Sequence, residues 1–161
     1  MEITLEQGLA AVVRYIQDHT EEGTKLYFDE LPEDFYVPSV YFQIPFTSGR
    51  KATLRTYCTA ITLNCWFMEA QDWDAYAKAA EMRDSIMLDN CIVPLYDVEG
   101  NQTGRGIRTG VPDTRKIADG TVQLSLGFDI YFRPEEEHQK MQKLYIAWKD
   151  VKENFNGQEV G

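Results

Sequence analysis

Three stretches of the chain repeat their apolar residues with the spacing of an amphipathic helix. The first covers residues 3–22, and Gly23 stands where such a helix is expected to end. The second covers residues 72–89, with Asp72 as its expected N-cap. A third helix is predicted from Pro134 to about residue 155, because proline is tolerated in a first helical turn. The predicted buried face of the second helix consists of Trp73, Tyr76, Ala77, Ala80, Met82, Ile86 and Met87.

Other stretches alternate apolar and polar residues, which predicts half-buried β-strands. Residues 38–46 form one such half-buried strand, with Val40, Phe42, Ile44 and Phe46 on one side. Pro45 places its far end at an edge or a bulge, and residues 47–49 form the following turn. Residues 121–133 form the clearest one. In that strand Val122, Leu124, Leu126, Phe128, Ile130 and Phe132 are predicted to face inward, and Gln123, Ser125, Gly127, Asp129 and Tyr131 outward.

The longest β pattern covers residues 51–69 and is rich in β-branched and aromatic side chains. One face is predicted to hold Tyr57, Thr59, Ile61, Leu63, Cys65 and Phe67, and the other Ala60, Thr62, Asn64, Trp66 and Met68. A strand of about 15 residues is much longer than the usual five or six. We therefore expect its polar and basic end, residues 50–55, to project beyond the domain.

Residues 100–120 contain five of the eleven glycines, together with four basic residues and Pro112. This composition predicts a long mobile loop or hairpin outside the core. A strand at residues 91–98, interrupted by Pro94, precedes it. On this interpretation, deleting residues 100–118 would leave the monomer folded and would impair assembly.

The order of the elements is helix, strands, helix, strands, helix. It predicts an α+β fold, a two-layer domain in which the N-terminal, middle and C-terminal helices pack on a mainly antiparallel sheet. Residues 1–155 are expected to form a single domain, and residues 156–161 a frayed polar tail. The N-terminus has no signal-peptide pattern, and no apolar stretch reaches the length of a membrane span. We therefore expect no contact with a membrane.

Charge is unevenly distributed along the chain, whose formal net charge is −10. Residues 1–34 contain nine acids and two bases, a net charge of −7, whereas residues 100–118 contain four bases and one acid, a net charge of +3. One interpretation is a solvated surface of uneven composition. The other is a pair of complementary patches that dock neighbouring copies head to tail.

No motif indicates catalysis, a metal or a cofactor. Cys58, Cys65 and Cys91 form no CxxC or CxxxC pair and are expected to be free thiols in a reducing cytoplasm. The glycine-rich segment at residues 104–110 lacks the order of a phosphate-binding loop and does not lead into a helix. His19 and His138 lie in no arrangement that is diagnostic of a triad. We therefore expect that the protein is not an enzyme and needs no cofactor.

Tyr41, Tyr57 and Trp66 are candidates for an exposed aromatic group on one face of the sheet. Three interpretations are open. The second helix could cover them, they could form a contact between subunits, where aromatic residues and arginine are enriched, or they could stack on single-stranded nucleic acid. The negative net charge disfavours the last interpretation.

The layout resembles that of the tail terminator and tail-completion proteins of long-tailed bacteriophages and phage-tail-like particles. An acidic amphipathic helix is followed by Pro-Ser-Val-Tyr-Phe-Gln-Ile at residues 38–44 and by the long strand at residues 59–67. One helix, a loop-rich β segment and the strong strand at residues 122–132 complete the likeness.

The resemblance implies a virion subunit that forms a ring, a hexamer in that family, assembled in the bacterial cytoplasm. Its partners would be copies of itself, the tail tube protein and either sheath or head and neck connector proteins, with DNA passing through the lumen as cargo. A head-completion or neck connector role is the alternative, and a nucleic-acid or ligand-binding domain using residues 100–118 is a third. The candidate subunit interface residues are Arg50, Lys51, Arg55, Tyr57, Trp66, Arg105, Arg108, Arg115 and Lys116.

Overall fold

A computed structural model describes residues 5–132 and 140–155. Its helices are α1 (Leu5–Asp18), α2 (Asp72–Leu88) and α3 (Lys140–Phe155). Its strands are β1 (Lys25–Phe28), β2 (Ser39–Phe42), β3 (Phe46–Lys51), β4 (Tyr57–Met68), β5 (Ile92–Tyr96), β6 (Gln102–Arg108), β7 (Asp113–Ala118) and β8 (Thr121–Phe132). The predicted start of the third helix at Pro134 and the predicted tail lie outside the described residues.

Six strands form one sheet in the order β1-β2-β4-β8-β7, with β3 also paired to β4. The long central pair, β4 with β8, is antiparallel along all twelve residues, and only β1 with β2 is parallel. Strands β5 and β6 form a separate antiparallel pair. The predicted α+β fold with a mainly antiparallel sheet is confirmed.

All three helices contribute to one hydrophobic core, which covers a single face of the large sheet. The central strands contribute Ile61, Leu63, Cys65 and Phe67 of β4 and Val122, Leu124, Leu126, Phe128 and Ile130 of β8 to this core, and β1 and β2 add Leu26, Phe28, Val40 and Phe42. The β8 side chains are ones that alternation predicted to face inward, and those of β4 lie together on one of its two predicted faces. Burial of each branched or aromatic side chain contributes about 1.5–3 kcal/mol. Gly8 allows α1 to approach closely, because a Cβ atom there would lie 2.9 Å from the Phe128 ring.

The predicted strand at residues 38–46 is in fact two strands. β2 pairs with residues 65–68 of β4, and β3 pairs with residues 57–62 of the same strand. Pro45, which has no N–H to donate, lies between them. The predicted turn at residues 47–49 is wrong, because these residues belong to β3, and Ile44 and Phe46 are exposed instead of buried.

The overlong strand predicted at residues 51–69 is in fact part of a β-hairpin, which consists of the end of β3, a turn and β4. The backbone N–H groups of Ala52 and Thr53 both donate to the carbonyl of Thr56, which closes the turn between β3 and β4. A continuous alternating pattern does not reveal this turn, because residues 52–56 contain neither glycine nor proline. The basic segment at residues 50–55 is exposed at this hairpin end.

The predicted buried face of α2 is partly wrong. Ala75, Ala79, Met82 and Ile86 are buried, whereas Trp73 is 80% exposed and Tyr76 and Met87 are also exposed. The small alanine side chains let the helix lie close to β7 and β8, so the larger aromatic residues point to solvent. The carboxylate of Asp72 does not cap the helix but accepts hydrogen bonds from the backbone of Gly120 and from Lys116.

The segment at residues 100–120 is not a long loop outside the core. It contains β6 and β7, which pair with β5 and β8, and the side chain of Ile107 is only 3% exposed. Thr109 forms an isolated bridge with Phe128, and the N–H of Gly110 donates to the carbonyl of Gly127. The premise of the deletion prediction for residues 100–118 is therefore wrong, and we now expect their removal to expose core surface and the edge of β8.

The first helix is shorter than predicted. α1 ends at Asp18, and Gly23, with a φ of +83°, lies in the turn that leads into β1. The phenol of Tyr15 donates to Asp89 Oδ2 at 2.6 Å and lies 2.8 Å from Ser85 Oγ, so it joins α1 to the end of α2. Burial and the negative charge of Asp89 raise the pKa of Tyr15 to about 12.

Candidate assembly surface

The large sheet has one face on which no described helix packs, and we call it the open face. The strand register places Tyr27 of β1, Tyr41 of β2, Trp66 of β4, Gln123 of β8 and Arg115 of β7 in one row across it. Five neighbouring strands contribute one side chain each, and side chains at such directly opposed positions contact one another. This row contains three aromatic residues and ends in an exposed arginine.

Direct contacts order the middle of this row. The rings of Tyr41 and Trp66 meet edge to face, with centroids 5.1 Å apart. The indole N–H of Trp66 donates to Gln123 Oε1 at 3.1 Å, and Gln123 Nε2 donates to Ser125 Oγ at 3.1 Å. Ser125 in turn donates to Asn64 Oδ1 at 2.7 Å. The network aligns polar and aromatic side chains. Trp66, Gln123 and Ser125 remain partly exposed, whereas Tyr41, which was expected to be exposed, is buried.

The β1 end of the row lies beside an acidic loop, residues 29–37. The hydroxyl of Tyr41 donates to the backbone carbonyl of Asp29. Burial, followed by the negative charges of Asp29 and Glu30, raises the pKa of Tyr41. The ammonium group of Lys25 lies 5.5 Å from the ring centroid of Tyr27 and 5.0 Å from that of Tyr36, within the range of cation–π attraction.

The structure separates Tyr57 from Tyr41 and Trp66. Tyr57 pairs with Lys51 and Phe132, and its position in β4 has the parity of the core-facing residues. The expectation that the three aromatic residues share a face is therefore wrong for Tyr57. The alternative in which the second helix covers them is wrong for Trp66, because the buried residues of α2 belong to the core on the opposite side of the sheet.

The candidate basic residues do not form one patch. Arg105 and Arg108 lie on β6 in the small sheet, whereas Arg115 and Lys116 lie on β7 at the edge of the large one. Adjacent residues of a strand point to opposite faces, so Arg115 is on the open face and Lys116 is on the helix side, where it forms an ion pair with Asp72 at 2.8 Å. The helix-side partner of Lys116 makes it a weaker candidate for an intersubunit contact.

The other three candidate basic residues lie at the β3–β4 hairpin. Arg50 forms an ion pair with Asp129 at 2.9 Å across the open face. Contact with the Cys58 thiol, together with the charge of Asp129, raises the pKa of Arg50. Lys51 and Arg55 are exposed and form no ion pair with any residue in the described ranges.

An open groove of about 620 Å³ borders the open face where the small sheet meets β8. Arg108 and Thr109 line one side, and Thr62, Asp129 and Tyr131 line the other. Within the described residues, no three histidine, cysteine or acidic side chains are grouped closely enough to hold a metal ion. None of the described helices is both long and apolar enough to span a membrane.

Sequence reasoning identified Trp66, Tyr41 and Arg115 but missed their alignment with Tyr27 and Gln123. The outward positions of β8 were correctly predicted from alternation, and Gln123 is among them. What the alternation does not contain is the register between strands, which places Gln123 opposite Trp66.

No known protein-family model matches the sequence. The chain is 29% identical over 136 residues to the uncharacterized protein YqbJ of Bacillus subtilis, an alignment that covers 84% of this chain and 92% of YqbJ. It is also 29% identical over 90 residues to the phage-like element PBSX protein XkdJ of Bacillus subtilis, covering 56% of this chain and 62% of XkdJ. Of the two names, only that of XkdJ states an origin, a phage-like element. Neither name specifies a tail terminator.

Two solved structures align with most of the chain at low TM-scores. A chain of the virion of a native gene transfer agent particle has a TM-score of 0.40 at 14% identity, covering 77% of this chain and 92% of that chain. A second has a TM-score of 0.39 at 20% identity, covering 78% of this chain and 94% of the other. Neither TM-score reaches 0.5, and we draw no functional conclusion from these two structures.

Proposed function

We propose that this chain is a structural subunit of a phage or phage-like particle, a tail terminator that forms a ring and caps the tail tube. In this role it would provide the surface to which the head or neck attaches. It would act through its surfaces, without catalysis and without a cofactor. Its location would be the tail or neck of the particle.

The observation that carries the proposal is the open face of the sheet in a chain similar to a protein of a phage-like element. A sheet face that is lined by aromatic and polar side chains and ends in arginine has the composition of a protein interface. Neighbouring subunits of a ring, related by rotation, contact each other through two different surfaces. The opposite charges of residues 1–34 and 100–118 suit such unlike surfaces.

The negative net charge also suits a ring through which DNA passes. A net charge of −10 repels the phosphate backbone, so DNA would slide through the lumen as cargo without being retained. The partners in this proposal are other copies of the chain, the tail tube protein, and sheath or head and neck connectors.

A head-completion or neck connector role in the same particle is the alternative. It would use the same kind of ring but would bind the portal side of the particle. The name of the PBSX relative is compatible with either position, since it states only the phage-like element.

The proposal is tested with the purified full-length chain, by native mass spectrometry and by electron microscopy after mixing with tail tubes. We expect a closed ring of defined stoichiometry that binds one end of each tube and stops further tube growth. Binding to portal or neck complexes and not to tubes would favour the alternative. A strictly monomeric chain that binds neither would overturn both.

A further inference from the structure

The β3–β4 hairpin carries positive charge without any compensating acid in its own sequence. Residues 35–68 contain Arg50, Lys51 and Arg55 and not a single aspartate or glutamate. We call residues 44–56 the hairpin arm. All six residues from 50 to 55 are exposed, and Leu54 at the turn is 90% exposed.

The arm also has an unused strand edge. In the large sheet β3 pairs only with β4, so along residues 46–51 the outer backbone N–H and C=O groups have no strand partner among the described residues. An exposed edge of this kind is a template for pairing with another chain, and basic residues restrict which chains can approach. Two arms would repel each other, so the arm requires an acceptor of opposite charge.

The acidic loop has the complementary properties. Glu30, Glu33 and Asp34 are exposed and form no ion pair with a described residue. Phe35, Tyr36 and Val37 follow them directly and are exposed as well. The loop therefore offers negative charge beside uncovered apolar surface. The tip of the arm offers positive charge beside the exposed Leu54, and the base of the arm exposes Ile44 and Phe46.

Within one chain, the charged tip of the arm, residues 50–55, lies far from the acidic loop. Both lie on the same side of β4, but the arm extends past Tyr57, whereas the loop connects β1 to β2 at the level of Cys65 to Met68. Eight strand residues separate Tyr57 from Cys65, which is about 27 Å at 3.4 Å per residue. The charged tip of the arm therefore pairs with an acidic loop only if that loop belongs to a second copy.

We infer that the hairpin arm of one copy docks on the acidic loop of the next copy. This inference rests on the proposed ring and specifies which two surfaces form its repeating contact. Because the two surfaces differ, the contact is head to tail and repeats around a ring. Salt bridges of Lys51 and Arg55 with Glu33 and Asp34 would set the register, and the exposed apolar side chains would supply the buried centre of the contact.

The test uses two full-length charge-reversal variants. The arm variant is Lys51→Glu/Arg55→Glu, and the loop variant is Glu33→Lys/Asp34→Lys. In each variant alone, the arm and the acidic loop carry charges of the same sign. We therefore expect ring assembly by each to be at least tenfold weaker than that of wild type in native mass spectrometry. Mixed together they restore opposite charges at every contact. We expect rings that contain equal numbers of both variants, counted after ¹⁵N labelling of one of them.

A matched control changes the same charges elsewhere. Asp74→Lys/Glu81→Lys alters two exposed acids of α2, and we expect it to assemble like wild type. Circular dichroism and thermal melting of every variant show that each is folded. If wild type forms rings and each variant alone forms rings equally well, this contact is overturned and the ring proposal remains intact. Failure of the mixture to assemble would also overturn the contact, and a monomeric wild type would overturn the contact and the ring together.

Discussion

Trp66 and Gln123 lie directly opposite each other on β4 and β8, and the indole N–H donates to the amide oxygen at 3.1 Å. The bond holds the largest side chain of the open face in one orientation and leaves its ring partly exposed. It thereby connects the aromatic end of the row to its basic end at Arg115, which pairs with Gln123 on the other side.

Reversing the charge of Arg115 is expected to impair assembly without affecting the fold. The side chain is exposed and forms no ion pair in the described part of the chain, so Arg115→Glu should change the free energy of unfolding by less than about 0.5 kcal/mol. We expect ring formation, measured by native mass spectrometry, to weaken at least tenfold. Lys149→Glu, a charge reversal at an exposed residue of α3, is the control. If both variants assemble equally well, Arg115 is not part of the interface.

Removing the hydroxyl of Tyr15 is expected to destabilise the protein in a pH-dependent manner. Its hydrogen bond to the Asp89 carboxylate contributes about 1.5–3 kcal/mol at pH 7, which Tyr15→Phe would lose. The folded pKa of about 12 lies above the ordinary value of 10.0, so the folded state holds the proton more tightly than the unfolded state. This contribution is complete below pH 10 and is lost as the pH rises from 10 to 12.

Urea denaturation at pH 8, 10 and 11.5 measures this difference. The stability of wild type should approach that of Tyr15→Phe as the pH increases. Tyr145→Phe, a change at an exposed residue of α3, should follow wild type at every pH. A constant difference between wild type and Tyr15→Phe up to pH 11.5 would contradict the assignment.

Asp29 attaches α3 to the end of β1. Its carboxylate accepts a hydrogen bond from the indole N–H of Trp148 at 2.6 Å and another from Lys152, and its backbone has a φ of +63°. Asp29→Ala loses both bonds and places alanine in a left-handed conformation, so we expect a loss of at least about 2 kcal/mol. Asp29→Asn keeps an acceptor and tolerates positive φ.

The measurement for Asp29 is the midpoint of urea denaturation, followed by tryptophan fluorescence. The asparagine variant should be clearly more stable than the alanine variant. Equal losses for both would show that neither the acceptor nor the backbone conformation matters at this position.

The core position of β6 predicts a large effect for Ile107→Ala. The side chain packs against the core next to Gly8 and Phe128, and truncation of a buried isoleucine costs about 2–5 kcal/mol. Ile117→Ala on β7, where the side chain is 36% exposed, is the control and should cost less. Calorimetric melting temperatures of both variants measure the difference in destabilisation. Similar small shifts in the melting temperatures of both variants would indicate that residues 100–110 do not contribute to the core.

Alternation was most successful in β4 and β8. In β8 the described residues face inward and outward as alternation assigned them, because one face of the strand is buried in a helix-covered core. In β4 the two predicted faces are also separated, although Met68 on the open-face side is buried. Sequence-based prediction was least successful at α2, where Trp73 and Tyr76 were expected to be buried. There the periodicity was correct, but close packing of Ala75 and Ala79 against the sheet excluded the larger side chains.

The pattern of residues along the chain was sufficient to predict the α+β class and to identify the basic segment at residues 50–55. Only the folded structure revealed the turn at residues 52–56, the core role of β6, and the row from Tyr27 to Arg115. The physical reason is that alternation and helical periodicity are local properties of one strand or helix. Strand register and strand order depend on contacts between residues far apart in the chain. These contacts create the open face and place the tip of the arm and the acidic loop at opposite ends of β4.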